Sequence, residues 1–77
     1  MSHRTATEFD KALGARVKKQ RHAIGMTQGA LGEAIGVTFQ QVQKYETGVN
    51  RMSVETALDV ADVLDVPFVK LVRGLRE

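Results

Sequence analysis

The stretch that decides the fold spans residues 28–45 and reads QGALGEAIGVTFQQVQKY. Its apolar side chains have the spacing of two short helices, and they stand at positions 31, 35, 37, 42 and 45. Gly32 leaves room for the second helix to cross close to the first. Gly36 lies where the chain must reverse with a positive φ, which glycine adopts without strain. The stretch therefore predicts two helices joined by a tight turn, a helix-turn-helix.

A pattern of glycines followed by capping residues recurs along the chain and predicts five helices. We expect them at residues 9–24, 28–35, 39–46, 54–65 and 68–75. A glycine follows each of the first three, and a residue that can cap the next helix comes within five residues of it: Thr27, Thr38 and Ser53. Gln41 stands three residues after Thr38, the spacing of a capping box. No segment alternates like a strand for more than a few residues, so an all-α domain is predicted.

Length and composition exclude several classes of function. Seventy-seven residues form one domain, and with no cysteine and only two histidines the chain predicts no metal site and no cofactor. No apolar run approaches the roughly 20 residues that span a bilayer. No signal-peptide pattern is present either, so we expect no membrane partner and a cytoplasmic location. Neither an acid pair, a His/Ser constellation nor a phosphate loop occurs, and no catalytic residue or enzyme activity is expected.

Charge is distributed unevenly along the chain. Residues 1–26 contain six Lys/Arg against two acidic residues, whereas residues 53–77 contain three Lys/Arg against five acidic residues. A basic front half and an acidic back half favour a surface that binds a polyanion, although charged clusters also occur as ordinary solvated surface.

Several short segments together resemble one known family. They are Leu13-Gly14-Ala15-Arg16-Val17-Lys18, Arg21, Gly25-Met26-Thr27-Gln28, Leu31-Gly32, Gly36-Val37-Thr38 and Tyr45-Glu46-Thr47-Gly48, followed by Ser53, Leu58, Ala61 and Leu64. Residues 13–66 thereby resemble the lambda-repressor-like helix-turn-helix domains, the Cro/C1-type or XRE family. The resemblance implies a five-helix DNA-binding domain over residues 9–77, preceded by an N-terminal arm over residues 1–8. Its helix-turn-helix would be formed by helices 2 and 3, with the third helix in the major groove.

By this resemblance helix 39–46 is the recognition helix. On a wheel set by buried Val42 and Tyr45, the outward and edge positions are the candidate base readers: Phe39, Gln40, Gln43 and Lys44. Glutamine can present a donor and an acceptor to adenine, lysine can reach guanine or a phosphate, and phenylalanine can touch a thymine methyl. The alternative interpretation is an ordinary solvated face.

Phosphate contacts are predicted at helix starts and in the segment that ends the third helix. The candidates are Thr27, Gln28, Thr38, Thr47, Asn50 and Arg51. The start of the second helix offers free N–H groups and the positive end of the helix dipole. The resemblance further implies that Gln28 braces the recognition helix, and that Asn50 and Arg51 meet the other side of the groove. For Thr27 the alternative is a plain N-cap.

Arg21 falls on or beside the apolar stripe of the first helix, where an unpaired guanidinium would be costly. The resemblance implies a partly buried ion pair with Glu46 that orients the third helix. Two independent surface charges are the alternative.

The leading hypothesis is a sequence-specific double-stranded DNA-binding transcriptional regulator, a repressor, that acts as a homodimer on a two-fold symmetric operator. The dimer contact is expected mainly around helix 5, with Val60, Val63 and Val69 lying off the main apolar stripes. An antitoxin or a restriction–modification controller would bind DNA in the same way. A helical protein-interaction module that does not read DNA is a different alternative, and it would require an apolar outward face on the third helix.

Overall fold

A computed structural model describes residues 7–75 of the chain. Over this range it consists of five helices without a strand: α1 Glu8–Ala23, α2 Gln28–Ile35, α3 Phe39–Thr47, α4 Val54–Leu64 and α5 Phe68–Val72. The predicted all-α class is confirmed. Helices α2 and α3 pack on each other, α1 lies against α3, and α5 packs on α4 and α1. Residues 1–6, which make up most of the predicted arm, lie outside the described residues.

One core joins all five helices. Its buried apolar side chains are Leu13, Val17, Leu31, Val42, Met52, Ala57, Val60, Ala61, Leu64 and Leu71. The predicted surface position of Val60 was wrong, because this side chain is only 1% exposed. Residues 57, 60, 61 and 64 form the buried i, i+3, i+4, i+7 stripe of α4, and this rotation leaves Val54 and Leu58 exposed.

Five helix ends differ from the predicted boundaries, and one of them is the end of α3, which lies at Thr47 rather than at residue 46. Helix α1 begins at Glu8 and ends at Ala23, so that Ile24 is an exposed cap residue outside the helix. Helix α4 ends at Leu64, because Asp65 adopts the left-handed conformation with φ 58°. Helix α5 ends at Val72 rather than at residue 75, because Arg73 is extended with ψ 130°.

The turn between α2 and α3 has the predicted geometry. Gly36 has φ 82°, and the N–H of Val37 donates to the Gly32 carbonyl at 2.8 Å. A Cβ on Gly32 would lie only 2.6 Å from the Val37 carbonyl oxygen, so a side chain at this position would push the turn away from α2. These two glycines therefore set how closely α3 follows α2.

Helix α1 approaches the C-terminal half of α3 at a third glycine. A Cβ on Gly14 would overlap the carbonyl oxygen of Tyr45 and lie 2.6 Å from that of Glu46. No side chain separates the two helices at this point, so α1 supports α3 directly from behind. The sequence pattern includes Gly14 but does not reveal this contact, because the partner backbone lies more than 30 residues further along the chain.

Candidate nucleic-acid interface

Helix α3 has one buried face and one exposed face. Val42 and Glu46 are buried against the rest of the domain. The four candidate base readers are all exposed: Phe39, Gln40, Gln43 and Lys44. Phe39 is the first residue of the helix and is half exposed. The structure thus brings three polar side chains and one aromatic ring to a helix surface that a groove can accept.

A buried ion pair fixes the inward face of α3. The Nε of Arg21 donates to Oε2 of Glu46 at 2.7 Å, and Nη2 donates to Oε1 at 2.9 Å. The remaining terminal nitrogen, Nη1, donates to the Met26 carbonyl at 2.8 Å. The bidentate geometry holds the two planar groups in one orientation, and the contact with Met26 adds the α1–α2 loop, so this loop, α1 and α3 are held together.

Both members of this pair are charged near neutral pH. Burial raises the pKa of Glu46, but hydrogen bonds from Arg21 and Gln28 outweigh it, and the pKa lies below its ordinary value. The hydrogen bond to Glu46 raises the pKa of Arg21 further above neutrality, against the opposing effect of burial. The pair is therefore ionic, with its charges satisfied inside the domain.

The start of α2 combines a cap with a brace. The Thr27 hydroxyl accepts from the Ala30 N–H at 3.0 Å, as an N-cap does. The Nε2 of Gln28 donates to Oε1 of Glu46 at 3.0 Å. Helix geometry leaves the N–H groups of residues 28 and 29 without an acceptor inside the helix. This end of α2 is thus attached to α3 and presents donors at the same time.

The start of α3 departs from the predicted capping box. The Thr38 hydroxyl accepts from the Gln41 N–H at 3.1 Å, but the Gln41 side chain does not return to Thr38. Its Nε2 donates instead to Oδ1 of Asn50 at 3.0 Å. The expected reciprocal box at this site was therefore wrong, because Asn50 offers Gln41 a different acceptor.

Two of the candidate phosphate ligands already have internal partners at the end of α3. The Thr47 hydroxyl donates to the Gln43 carbonyl at 3.0 Å, so it must rotate before it can donate to a phosphate. The N–H of Asn50 donates to the Lys44 carbonyl at 3.1 Å. These contacts order the segment that leaves the helix.

Arg51, the last candidate phosphate ligand, pairs with a residue that sequence reasoning missed. Its Nε donates to Oδ1 of Asp10 at 3.0 Å. Asp10 also forms a capping box with Thr7 at the start of α1, and the Thr-x-x-Asp spacing is the signal that could have revealed it. Burial raises the pKa of Asp10, but hydrogen bonds from Arg51 and Thr7 outweigh it and lower the pKa.

Two basic residues of the front half, Arg16 and Lys19, lie on the α1–α5 side of the domain. Arg16, Lys19 and Lys70 line one groove between α1 and α5, and Nη1 of Arg16 donates to the Lys70 carbonyl at 3.3 Å.

Among residues 7–75, His and acidic side chains form no cluster that could hold a metal ion. Within the same range there is no helix with the length and apolar character needed to cross a bilayer.

Comparison with known proteins identifies the class to which this fold and surface belong. The helix-turn-helix family model matches residues 17–71, and the chain belongs to this family, as a lambda-repressor-like domain of the Cro/C1 type. It is 49% identical over 61 residues to an uncharacterized HTH-type transcriptional regulator, y4aM, of Sinorhizobium fredii. This match covers 79% of the chain but only 43% of the relative, so the chain spans less than half of that protein's length.

Solved structures share the fold. The restriction-modification controller protein C.AhdI from Aeromonas hydrophila superposes with a TM-score of 0.76 at 28% identity, over 83% of this chain and 96% of that one. SinR, a master regulator for biofilm formation solved in complex with DNA, superposes with a TM-score of 0.70 at 28% identity. That superposition covers 77% of this chain and 95% of SinR.

Proposed function

We propose that this protein is a sequence-specific double-stranded DNA-binding transcriptional regulator that represses by occupying its operator, with α3 in the major groove. The observation that carries the proposal is the division of α3 into a locked inner face and a free polar outer face. Arg21 and Gln28 hold Glu46 on the inner side, while Gln40 and Lys44 are exposed one helical turn apart. SinR, with the same fold, was solved bound to DNA.

Two classes of contact follow from where the side chains lie. Phe39, Gln40, Gln43 and Lys44 are the proposed base readers. We assign to the phosphates the candidates at helix starts, at the end of α3 and in the loop that follows it: Thr27, Gln28, Thr38, Thr47, Asn50 and Arg51. Base contacts then supply specificity, while phosphate contacts fix the register of the domain on the duplex.

The active form proposed is a homodimer on a two-fold symmetric operator, with a contact built around α5. Val69 is 46% exposed on this helix, as expected for an apolar residue off the buried stripe. Val60 lies in the core and cannot contribute to the dimer contact. We assign exposed Leu58 of α4 to this contact instead. Two copies would place their recognition helices about 34 Å apart, one turn of duplex. Such a regulator acts on its operator in the cytoplasm.

The likeness to C.AhdI favours a second assignment of the same surface. A restriction–modification controller would use α3 and the phosphate contacts in the same way, and only the regulated genes would differ. The sequence selected by the domain distinguishes the two assignments, because it can be located in the genome beside its target genes.

Selection of bound duplexes from a random pool tests the proposal directly. We expect enrichment of one sequence with dyad symmetry and a binding stoichiometry of two chains per duplex. Enrichment of no sequence would refute sequence-specific binding. An asymmetric site bound by one chain would retain DNA recognition and refute the dimer.

A further inference from the structure

Asp10 is a buried carboxylate in the first turn of α1. Its side chain is only 1% exposed. A carboxylate in such a place needs strong partners, because burial of an unpaired charge is costly. The Thr7 hydroxyl donates to Oδ2 at 2.8 Å, and Arg51 supplies the opposite charge from 41 residues away. Asp10 therefore connects the first turn of α1 to the loop that follows α3.

The backbone of this loop, residues 48–53, is fixed independently of Arg51. A Cβ on Gly48 would lie 2.7 Å from the backbone nitrogen of Lys11, so the loop passes directly over the first turn of α1. The Asn50 N–H is bonded to α3, and Met52 is buried in the core. With its two neighbours held, Arg51 has freedom only in its side chain.

Arg51 is held along one edge and exposed along the other. Nε lies 3.0 Å from Oδ1 of Asp10 and Nη2 lies 3.5 Å from Oδ2, yet the side chain is 55% exposed. A guanidinium carries five N–H donors in a rigid plane, so contact through the Nε edge leaves donors on Nη1 facing away. The arrangement is that of an arginine aimed at a second acceptor.

We propose that Asp10 is a positioning residue for DNA binding, which holds Arg51 so that its outer edge meets a phosphate beside the major groove. The proposal rests on the proposed function. A side chain already held in place loses little rotamer freedom on binding, an advantage of about threefold to tenfold in affinity. Simple electrostatics predicts instead that the Asp10 charge weakens DNA binding, since a carboxylate near a phosphate repels it.

The test compares Asp10→Asn, Arg51→Ala and the double variant on the duplex that the wild-type chain selects. Glu8→Gln is the matched control, because it removes the same charge from the same helix turn at a side chain that is 94% exposed. We expect Asp10→Asn to weaken binding about threefold to tenfold, and Glu8→Gln to leave it unchanged or slightly stronger. In the Arg51→Ala background, Asp10→Asn should have no further effect.

Arg51→Lys gives a second measurement that leaves Asp10 and its cap intact. It keeps the charge but cannot reach carboxylate and phosphate with one planar group, so binding should again fall about threefold to tenfold. Urea unfolding of each variant separates any loss of stability from the loss of binding.

Two results would overturn the positioning role. The first is Asp10→Asn behaving like Glu8→Gln, and the second is Asp10→Asn retaining its full effect without Arg51. Failure of the proposed function has a different signature, because the wild-type chain itself would then select no duplex.

Discussion

Gln28 and Glu46 join the two helices of the helix-turn-helix through a hydrogen bond of 3.0 Å from Nε2 to Oε1. The same carboxylate accepts two hydrogen bonds from Arg21 of α1. One side chain of α3 is thus held by α1 and α2 together. The orientation of α3 is a property of this three-residue contact as much as of the apolar core.

Removal of one charge from this contact should be more damaging than removal of both. Arg21→Met leaves Glu46 buried without its cation and should lower the free energy of unfolding by about 3 kcal/mol. Combining it with Glu46→Leu should recover much of the loss, because no buried charge then lacks a partner. Thermal or urea unfolding of the two single variants and the double variant measures the coupling. Simple additivity of the two single effects would contradict it.

Acid should destabilise the domain through Glu46 and Asp10. Burial raises the pKa of both, but their hydrogen bonds outweigh it, so both pKa values lie below the ordinary ones of about 4.3 and 3.9. The folded state therefore binds these protons more weakly than the unfolded state. The stabilisation is complete above the unfolded-state pKa values and is lost as pH falls through the folded-state ones.

Urea unfolding between pH 7 and pH 2.5 measures this dependence. The midpoint should stay constant down to about pH 5 and then fall. Glu46→Gln should be less stable than the wild type at pH 7 and should lose less on acidification. A midpoint that does not change with pH in the wild type would show that neither carboxylate is stabilised by folding.

Gln40 and Gln28 should respond differently to DNA sequence. Gln40→Ala removes an exposed donor and acceptor of α3, and should cost about 1–3 kcal/mol on the selected duplex and almost nothing on random DNA. Gln28→Ala should weaken both duplexes by similar factors, because it lies at the start of α2 and also holds Glu46. Titration of both variants on the two duplexes makes the comparison. Equal weakening by Gln40→Ala on both would show that the assigned recognition face is wrong.

Binding should depend strongly on salt. About four to six phosphates neutralised per complex predict a slope of log K against log salt near roughly −4 to −5. Lys44→Ala should reduce the magnitude of this slope by about one if the ammonium binds a phosphate, and should leave it unchanged if it binds guanine. Titrations at several salt concentrations decide between the two, and a flat response in the wild type would contradict DNA binding altogether.

Two glycines with open surroundings should respond oppositely to alanine. A Cβ on Gly29, inside α2, would meet only the Thr27 hydroxyl oxygen at 3.9 Å, so Gly29→Ala should stabilise by about 0.5–1 kcal/mol. A Cβ on Gly25 would meet nothing within 4 Å, but the φ of Gly25 is 71°, so Gly25→Ala should destabilise. Urea unfolding checks both. Destabilisation by Gly29→Ala would indicate that α2 needs glycine for a reason other than space.

The helices that could be predicted well are those with strong local signals. Gly36 and the caps Thr27 and Thr38 fix both ends of α2 and the start of α3 within a few residues of sequence. At the end of α5 two local signals disagree, because Gly74, with φ 78°, marks a helix end while the apolar spacing continues past it to Leu75. That side chain does pack against the core, but from a turn beyond the helix.

The buried face of α4 was ambiguous for a different reason. Apolar residues occupy seven of its eleven positions, so a helical period fits more than one stripe. Only contact with the other helices selects Val60 over Leu58. The Asp10–Arg51 pair cannot be predicted from local sequence either. The capping-box spacing indicates a role for Asp10, but no neighbouring residue indicates that its cationic partner is Arg51.

The direct contact of α1 with the back of α3 has a consequence for how such a protein can change its target. Because the contacts of Gly14 and Glu46 hold α3 on its inner side, the residues on its outer side contribute little to the stability of the fold. Gln40, Gln43 and Lys44 can therefore be substituted one at a time without loss of the fold. Natural selection or protein engineering can thus change the operator that the domain recognises without changing its core.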